Sequence, residues 1–261
     1  SIDNKRLELT FDAVSKVAEV YINGTLAGSH IGMFGDFKVD GTKLLKPGKN
    51  LITVKVTRDF IKNIEDADKV VSVAVTVPVT NKMLNDIAHG FYQENPAGIW
   101  QPVNLVISDL IKIEDVYIKP TLTGANFEVT IKNYSGKKSI FDLSTEIIED
   151  DTKNPFYSET PVKKVSLAAD EEKVIKYTIT GLKPRLWTPN HPNLYDFNFT
   201  IKTKKQPEKD RVSILSGLRT FEVKNGLFEL NGVPYWLRGG NHTPFALAPN
   251  DLTLANTFYQ L

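Results

Sequence analysis

Apolar and polar residues alternate one by one along several segments of this 261-residue chain. In the segment 195–202, aromatic or aliphatic residues occupy every odd position and polar residues every even one; the segments 52–57, 127–132 and 175–179 repeat the pattern. A period of two places one type of residue on each face of a strand, so these segments predict antiparallel sheets with one buried face. Many such strands, separated by Gly, Pro and Asn turns, favour β-sandwiches.

Changes of pattern along the chain predict where the domains begin and end. A first β-sandwich ends in the apolar segment 103–107, and a new series of strands begins at Val116, which sets a boundary near Asp109. The series that follows suits an immunoglobulin-like sandwich, which needs about 100 residues. The predicted domains are therefore 1–109, 110–223 and 224–261.

The end of the chain combines tight turns with a third predicted strand. Asn225-Gly226 and Asn231-Gly232 are tight-turn signals that separate short apolar strands. A strand over Tyr235–Leu237 is predicted next. It ends in the polar run Arg238–His242, and a helix is predicted over 251–261. Because a strand, a polar loop and a helix in this order begin many larger α/β domains, we expect the chain to stop inside a further domain.

Composition excludes several classes of partner. Lys and Arg number 32 and Asp and Glu 31, so no charge excess predicts a nucleic acid or an anionic membrane as a partner. No apolar run approaches the roughly 20 residues that span a bilayer. The chain has no cysteine, and its His residues lack partners at metal-ligand spacing, so neither a metal nor a cofactor is predicted. The compartment stays open, and the periplasm and the extracellular space both remain compatible with the sequence.

Four segments carry a family resemblance, and they follow one another in the family's order. Val20–Gly24 reads V-Y-I-N-G, and Ala97–Leu105 reads A-G-I-W-Q-P-V-N-L. Leu186–Tyr195 reads L-W-T-P-N-H-P-N-L-Y, and Phe228–Asn241 contains F-E-L-N-G-V-P followed by L-R-G-G-N. These segments are similar to motifs of the family-2 glycoside hydrolases, the group that contains β-galactosidases, β-glucuronidases and β-mannosidases.

The resemblance implies a fold and a function. The fold is mainly β: a jelly-roll-like sugar-binding β-sandwich, an immunoglobulin-like β-sandwich, and then the first strand and helix of a truncated (β/α)8 barrel. The function is that of the non-catalytic N-terminal part of a retaining β-glycosidase that hydrolyses terminal β-linked sugars. A carbohydrate is the expected partner, and homo-oligomers stay open.

The family's catalytic residues are not expected in this chain. In the family both are glutamates on later barrel strands, and one follows an Asn; the sequence contains no Asn-Glu pair. The parent protein is thus predicted to be an enzyme and this chain to be inactive. A free-standing carbohydrate-binding or adhesive β-sandwich protein is the alternative, against which the last 25 residues argue.

Five residues are expected to contact the sugar. Arg238, Asn241 and His242 follow the first barrel strand, on the face where barrel active sites lie. Asn and His can bond sugar hydroxyls, and Arg can orient a carboxylate. Gln93 and Glu94 lie in a polar and aromatic loop that reaches the barrel mouth in some relatives. The alternative reading is structural: Arg238 pairs inside the barrel, His242 caps the loop, and the other pair lies in an ordinary surface loop.

Two tryptophans in the family motifs have a different expected role. Trp100 and Trp187 lie in motifs that enzymes of different specificity share. We therefore predict that both pack at domain junctions and that neither is a platform for a sugar ring.

Overall fold

The computed structural model describes residues 2–15, 17–32, 35–57, 98–204, 206 and 208–239. These residues belong to two compact units, one comprising those up to Ile107 and the other Ser108–Gly239. Within the described ranges the chain forms 18 strands, numbered β1 to β18, and no helix. The prediction of a mainly β protein is therefore confirmed. The helix predicted over 251–261 lies outside the described residues.

The first unit contains three sheets, with strand orders β5-β1-β8, β4-β3-β6 and β2-β7. Buried apolar residues of the first two sheets form one cluster, in which Phe11 and Val39 of one sheet join Val20 and Ile22 of the other. The two sheets therefore share a core, as in a β-sandwich. The strands are β1 (Lys5–Phe11), β2 (Val14–Ser15), β3 (Val17–Ile22), β4 (Thr25–Ile31), β5 (Phe37–Asp40), β6 (Ile52–Thr57), β7 (Gly98–Ile99) and β8 (Val103–Asp109).

The second unit also contains three sheets, with strand orders β13-β10-β9, β12-β11-β14-β15 and β16-β17-β18. All neighbouring strands whose register is described run antiparallel, as the alternation predicts. The strands are β9 (Ile111–Thr121), β10 (Gly124–Asn133), β11 (Ser139–Glu149), β12 (Pro155–Leu167), β13 (Glu172–Ile179), β14 (Tyr195–Lys202), β15 (Asp210–Ser216), β16 (Phe221–Lys224), β17 (Leu227–Leu230) and β18 (Val233–Pro234).

The first two sheets of this unit enclose a core of aromatic and aliphatic side chains. Phe127 of β10 is 1% exposed, and its ring lies 5.6 Å from that of Phe199 and 6.1 Å from that of Phe197 in β14. The odd-numbered residues of β14 from Tyr195 to Ile201 are fully buried. The three-stranded and four-stranded sheets thus pack face to face, with the residues that alternation assigns to the inner face.

Tyr195 begins β14 and is tied to the backbone ten residues earlier. Its hydroxyl accepts a hydrogen bond from the Arg185 amide at 2.8 Å and donates one to the Arg185 carbonyl at 3.3 Å. A buried Tyr that bonds upstream backbone at the start of this strand is the tyrosine corner of immunoglobulin-like sandwiches. The corner and the division into three and four strands both resemble that architecture.

The third sheet is a hairpin followed by one short strand. Both Asn-Gly turns are present, with φ of 51° and 79° at Asn225-Gly226 and 54° and 77° at Asn231-Gly232. Two successive positive φ angles define the turn whose twist suits a tight hairpin, and Asn-Gly tolerates them best. The sequence therefore located both turns correctly.

The strand predicted over Tyr235–Leu237 is wrong. The last strand is Val233–Pro234, and residues 235–239 carry no strand pairing. One backbone bond, from the Tyr235 amide to the Phe228 carbonyl at 2.8 Å, continues the ladder beyond it. A strand needs a neighbour along its length, and among the described residues only β17 offers one.

Candidate functional site

The hairpin of the second unit has one apolar and one charged face. Phe221 pairs with Leu230, and Val223 with Phe228, so these four side chains share a face. The rings of Phe221 and Phe228 stack with centroids 5.4 Å apart, yet they are 46% and 42% exposed, and Val223 is 68% exposed. The other face carries Glu222, Glu229 and Lys224. An exposed apolar sheet face of this kind marks a surface that contacts something else.

A cleft of about 330 Å³ lies at the turn end of this hairpin. Its lining is mostly apolar, and Trp236 beside it is 83% exposed. Among the described residues, the lining includes no carboxyl or imidazole group. The cleft can therefore hold an apolar group or the face of a ring. Its lining residues are Gly226, Leu227, Phe228, Pro234, Tyr235, Trp236 and Leu237.

The predicted sugar-contacting residues fall mostly outside the described part of the chain. Those outside it are Gln93, Glu94, Asn241 and His242, and their contact with a sugar therefore stays a prediction. Arg238 is described: its side chain is exposed, and it makes no hydrogen bond or ion pair with another described residue. Its guanidinium group is thus available to a partner.

Trp187 lies where the sandwich joins the hairpin. Its amide donates to the Leu218 carbonyl at 2.9 Å, and the guanidinium carbon of Arg219 lies 4.5 Å from its ring centroid. Its own carbonyl accepts a hydrogen bond from the Asn231 side chain at 3.0 Å. We call Trp187, Gly217–Thr220 and Asn231 the Trp187 junction. The motif predicted a packing role for Trp187, whereas the Asn-Gly pair predicted only a turn at Asn231.

A buried carboxyl group, Asp109, and a half-buried one, Asp210, lie near each other at an end of the sandwich. Asp109 pairs with Lys209 at 2.9 Å, and Asp210 accepts a hydrogen bond from the Ile113 amide at 2.7 Å. Burial raises the pKa of Asp210, and the nearby Asp109 raises it further, although the Ile113 amide and Lys112 oppose the shift. Because both groups bind the ends of strands and neither lines the cleft, we assign them to the fold.

A second group of charges lies on β1 and β5. The Arg6 guanidinium is within 2.9 Å of both the Glu8 and the Asp40 carboxylates, and Glu8 is 4% exposed. Burial opposes ionisation of Asp40, but hydrogen bonds from Thr42 and the charge of Arg6 outweigh it and hold the pKa of Asp40 below its usual value. Because the positive charge of Arg6 lies between the two carboxylates, we assign these three residues to an ion-pair network within the sheet.

The described ranges contain no group of three or more His, Asp or Glu side chains that could hold a metal ion. No helix in them has the length and apolar character to cross a bilayer.

Comparison with known domain families identifies both units. Residues 1–89 match the model described as "Glycosyl hydrolase 2 galactose-binding domain-like", and residues 111–219 match the model "Glycosyl hydrolases family 2". The two matches follow each other and together cover most of the chain. This chain belongs to glycoside hydrolase family 2, as the resemblance predicts.

The curated relatives of this chain are much longer proteins. It is 30% identical to a β-galactosidase of Thermoanaerobacter pseudethanolicus, over 91% of this chain and 29% of that protein. It is 27% identical to the mannosylglycoprotein endo-β-mannosidase of Lilium longiflorum, over 92% of this chain and 27% of that protein. The chain therefore spans less than a third of these relatives and corresponds to their N-terminal portion.

Solved structures show the same fold. A β-glucuronidase of Bacteroides uniformis superposes with a TM-score of 0.72 at 23% identity, covering 98% of this chain and 30% of that chain. A β-galacturonidase of Eisenbergiella tayi, solved with galacturonate, gives 0.71 at 20% identity, covering 98% of this chain and 42% of that chain. At these identities the likeness concerns the fold alone.

Proposed function

We propose that this chain is the non-catalytic N-terminal part of a retaining β-glycosidase that hydrolyses terminal β-linked sugars. The observation that carries the proposal is the pair of consecutive family-2 matches in a chain that covers only 29% of its β-galactosidase relative. The relatives' names include a β-galactosidase and an endo-β-mannosidase, so the sugar itself is left open.

The domain organisation is part of this proposal. Residues 1–109 would form a jelly-roll-like sugar-binding sandwich, 110–223 an immunoglobulin-like sandwich, and 224–261 the start of a (β/α)8 barrel. The tyrosine corner of Tyr195 supports the second assignment. The apolar face of the hairpin supports the third, because a barrel would supply the surface that covers it.

The chemistry divides between this chain and the remainder of the parent protein. Retaining hydrolysis needs two carboxyl groups about 5–5.5 Å apart across the scissile bond. The buried carboxyls Glu8 and Asp109 pair with Arg6 and Lys209, and the half-buried Asp210 accepts a hydrogen bond from a strand amide. We infer that the remainder supplies the catalytic pair. This chain would supply non-catalytic sugar contacts from Gln93, Glu94, Arg238, Asn241 and His242.

An activity assay tests the division. The 261-residue chain and the full-length parent are each incubated with nitrophenyl β-galactoside, β-mannoside and β-glucuronide. We expect turnover by the parent with at least one substrate and none by the chain. Turnover that survives repurification of the chain would contradict its non-catalytic assignment. A parent that hydrolyses none of them but binds sugars would favour the free-standing binding protein.

Substitution of the proposed pocket residues tests the sugar contacts. Asn241→Ala and His242→Ala in the parent should each lower kcat/KM about ten-fold, because a neutral hydrogen bond that strengthens in the transition state contributes roughly 1–2 kcal/mol. Kinetics and melting temperature are measured together, with Asn225→Gly as the control because glycine keeps the positive φ of that turn. If both variants keep the parent's kcat/KM, these residues are only loop structure.

A further inference from the structure

The side chain of Asn231 connects three separate segments of the second unit. Its Oδ1 accepts a hydrogen bond from the Thr220 amide at 3.0 Å, and its Nδ2 donates one to the Trp187 carbonyl at 3.0 Å. Its own amide donates to the Thr220 carbonyl at 2.9 Å. Both polar side-chain atoms of Asn231 therefore join the hairpin to the other members of the Trp187 junction, namely to Trp187 and to Thr220.

The segments that Asn231 binds are themselves fixed to the sandwich. Leu218 is fully buried in the sandwich core, and its carbonyl holds the Trp187 amide. Gly217 packs directly against the indole: a Cβ at that position would lie 2.7 Å from the Cβ of Trp187. Since core packing and backbone bonds restrain both partners, Asn231 is bonded to a rigid support.

The second Asn-Gly turn of the same hairpin provides an internal comparison. Asn225 and Asn231 have φ of 51° and 54°, and the glycines that follow have 79° and 77°. The Asn225 side chain makes no hydrogen bond to any described residue. The turn itself therefore does not require the bonds of Asn231, which serve the attachment of the hairpin.

The attachment extends toward the proposed sugar-contacting segment. β17 and β18 flank the Asn231 turn, and the Tyr235 amide binds the Phe228 carbonyl of β17 at 2.8 Å. Arg238 follows Tyr235 by three residues. The hairpin therefore determines where residues 235–239 leave the sheet. The hydrogen bonds at the Trp187 junction in turn determine the position of the hairpin.

We propose that Asn231 is a positioning residue: by bonding the hairpin to Trp187 and Thr220 it fixes where Arg238 enters the catalytic part of the parent enzyme. The proposal rests on the proposed function. It requires that loss of the Asn231 side chain loosens the hairpin without unfolding the sandwich. Misplacing groups on the catalytic face should then slow the chemical step more than it weakens ground-state binding.

Hydrogen exchange of the 261-residue chain tests the attachment without any assay of activity. Asn231→Gly is compared with Asn225→Gly, because glycine keeps the positive φ at both turns and removes only the side chain. The amides of residues 220–235 should exchange about ten-fold faster in Asn231→Gly, since two hydrogen bonds are lost, and within about two-fold of the unmodified chain in Asn225→Gly. Asn231→Asp keeps the acceptor for the Thr220 amide and should fall between them. Equal exchange in both glycine variants would overturn the proposal.

Kinetics of the full-length parent test the consequence. Asn231→Gly should lower kcat about ten-fold with KM changed less than two-fold, whereas Asn225→Gly should leave both unchanged. The melting transition of the sandwich should move equally little in the two variants. A loosened hairpin with unchanged kcat would overturn the positioning role. A parent without glycosidase activity would instead contradict the proposed function, and the exchange result would stand by itself.

Discussion

The sandwich and the hairpin of the second unit follow the same sequence pattern but bury different fractions of their apolar residues. In β14 the rings of Phe197 and Phe199 are fully buried. In the hairpin, β16 also alternates apolar and polar residues, yet Phe221 and its ring partner Phe228 each remain more than two-fifths exposed. The pattern is the same because both are antiparallel ladders. The burial differs because the sandwich face meets a second sheet and the hairpin face meets none among the described residues.

The difference separates two contributions to stability. Alternation specifies which side chains share a face, but the hydrophobic free energy comes only when a second layer removes that face from water. The sandwich carries both layers within 108–216 and should be stable without its neighbours. The hairpin is bound chiefly through the Trp187 junction, so its stability should depend on a few hydrogen bonds.

The largest effect expected from this comparison is in the sandwich core. Phe127→Ala removes a ring that is 1% exposed and packs on Phe197, Phe199 and Tyr177, so it should cost about 3–5 kcal/mol of unfolding free energy. Phe228→Ala, in the hairpin, should cost under about 1 kcal/mol. Urea denaturation followed by circular dichroism measures both. Equal losses would mean that a layer covers the hairpin face in solution.

A smaller effect is expected where a hydroxyl fixes the sandwich. Tyr195→Phe keeps the buried ring but removes both hydrogen bonds to the Arg185 backbone, which should cost about 1–2 kcal/mol. Tyr235→Phe is the hairpin control, because the Tyr235 hydroxyl makes no hydrogen bond to another described residue. Thermal melts of the two variants should differ by several degrees. A Tyr195→Phe melt as high as that of the control would show that the corner contributes only packing.

Sequence predicted the strands, the turns and the family, for physical reasons that act locally. Alternation defined β14 because its odd-numbered residues, Tyr195 to Ile201, are all buried against one opposite sheet, and Asn-Gly located both hairpin turns because few other pairs tolerate their φ angles. The strand predicted at Tyr235–Leu237 was wrong because pairing depends on neighbours that local sequence does not contain. The bonds of Asn231 were missed for the same reason: their partners lie 11 and 44 positions away. The sugar contacts of Asn241 and His242 stay predictions.

The smallest expected effect concerns a carboxyl at the sandwich edge. Burial is the main cause that raises the pKa of Asp210, so the folded chain binds this proton more tightly than the unfolded chain does. The stabilising contribution is therefore complete at pH values below the unfolded pKa and is lost as the pH rises through the folded pKa. Asp210→Asn mimics the protonated form, and its amide oxygen can still accept the hydrogen bond from the Ile113 amide.

The Asp210→Asn variant should therefore match the unmodified chain near pH 3 and exceed its unfolding free energy at pH 6 and above. The difference should be less than about 1 kcal/mol, because the carboxyl keeps its Ile113 hydrogen bond and the nearby Lys112. Urea titrations across this pH range measure it, with the exposed hairpin variant Glu222→Gln as the control that should show no such trend. An Asp210→Asn variant that is less stable than the unmodified chain at pH 6 and above, with the deficit vanishing near pH 3, would mean that ionised Asp210 stabilises the sandwich edge. The hydrogen bond from the Ile113 amide would then favour the ionised carboxyl by more than burial disfavours it. The stability of the sandwich edge would in that case depend on a charge, whereas the attachment of the hairpin depends on neutral hydrogen bonds.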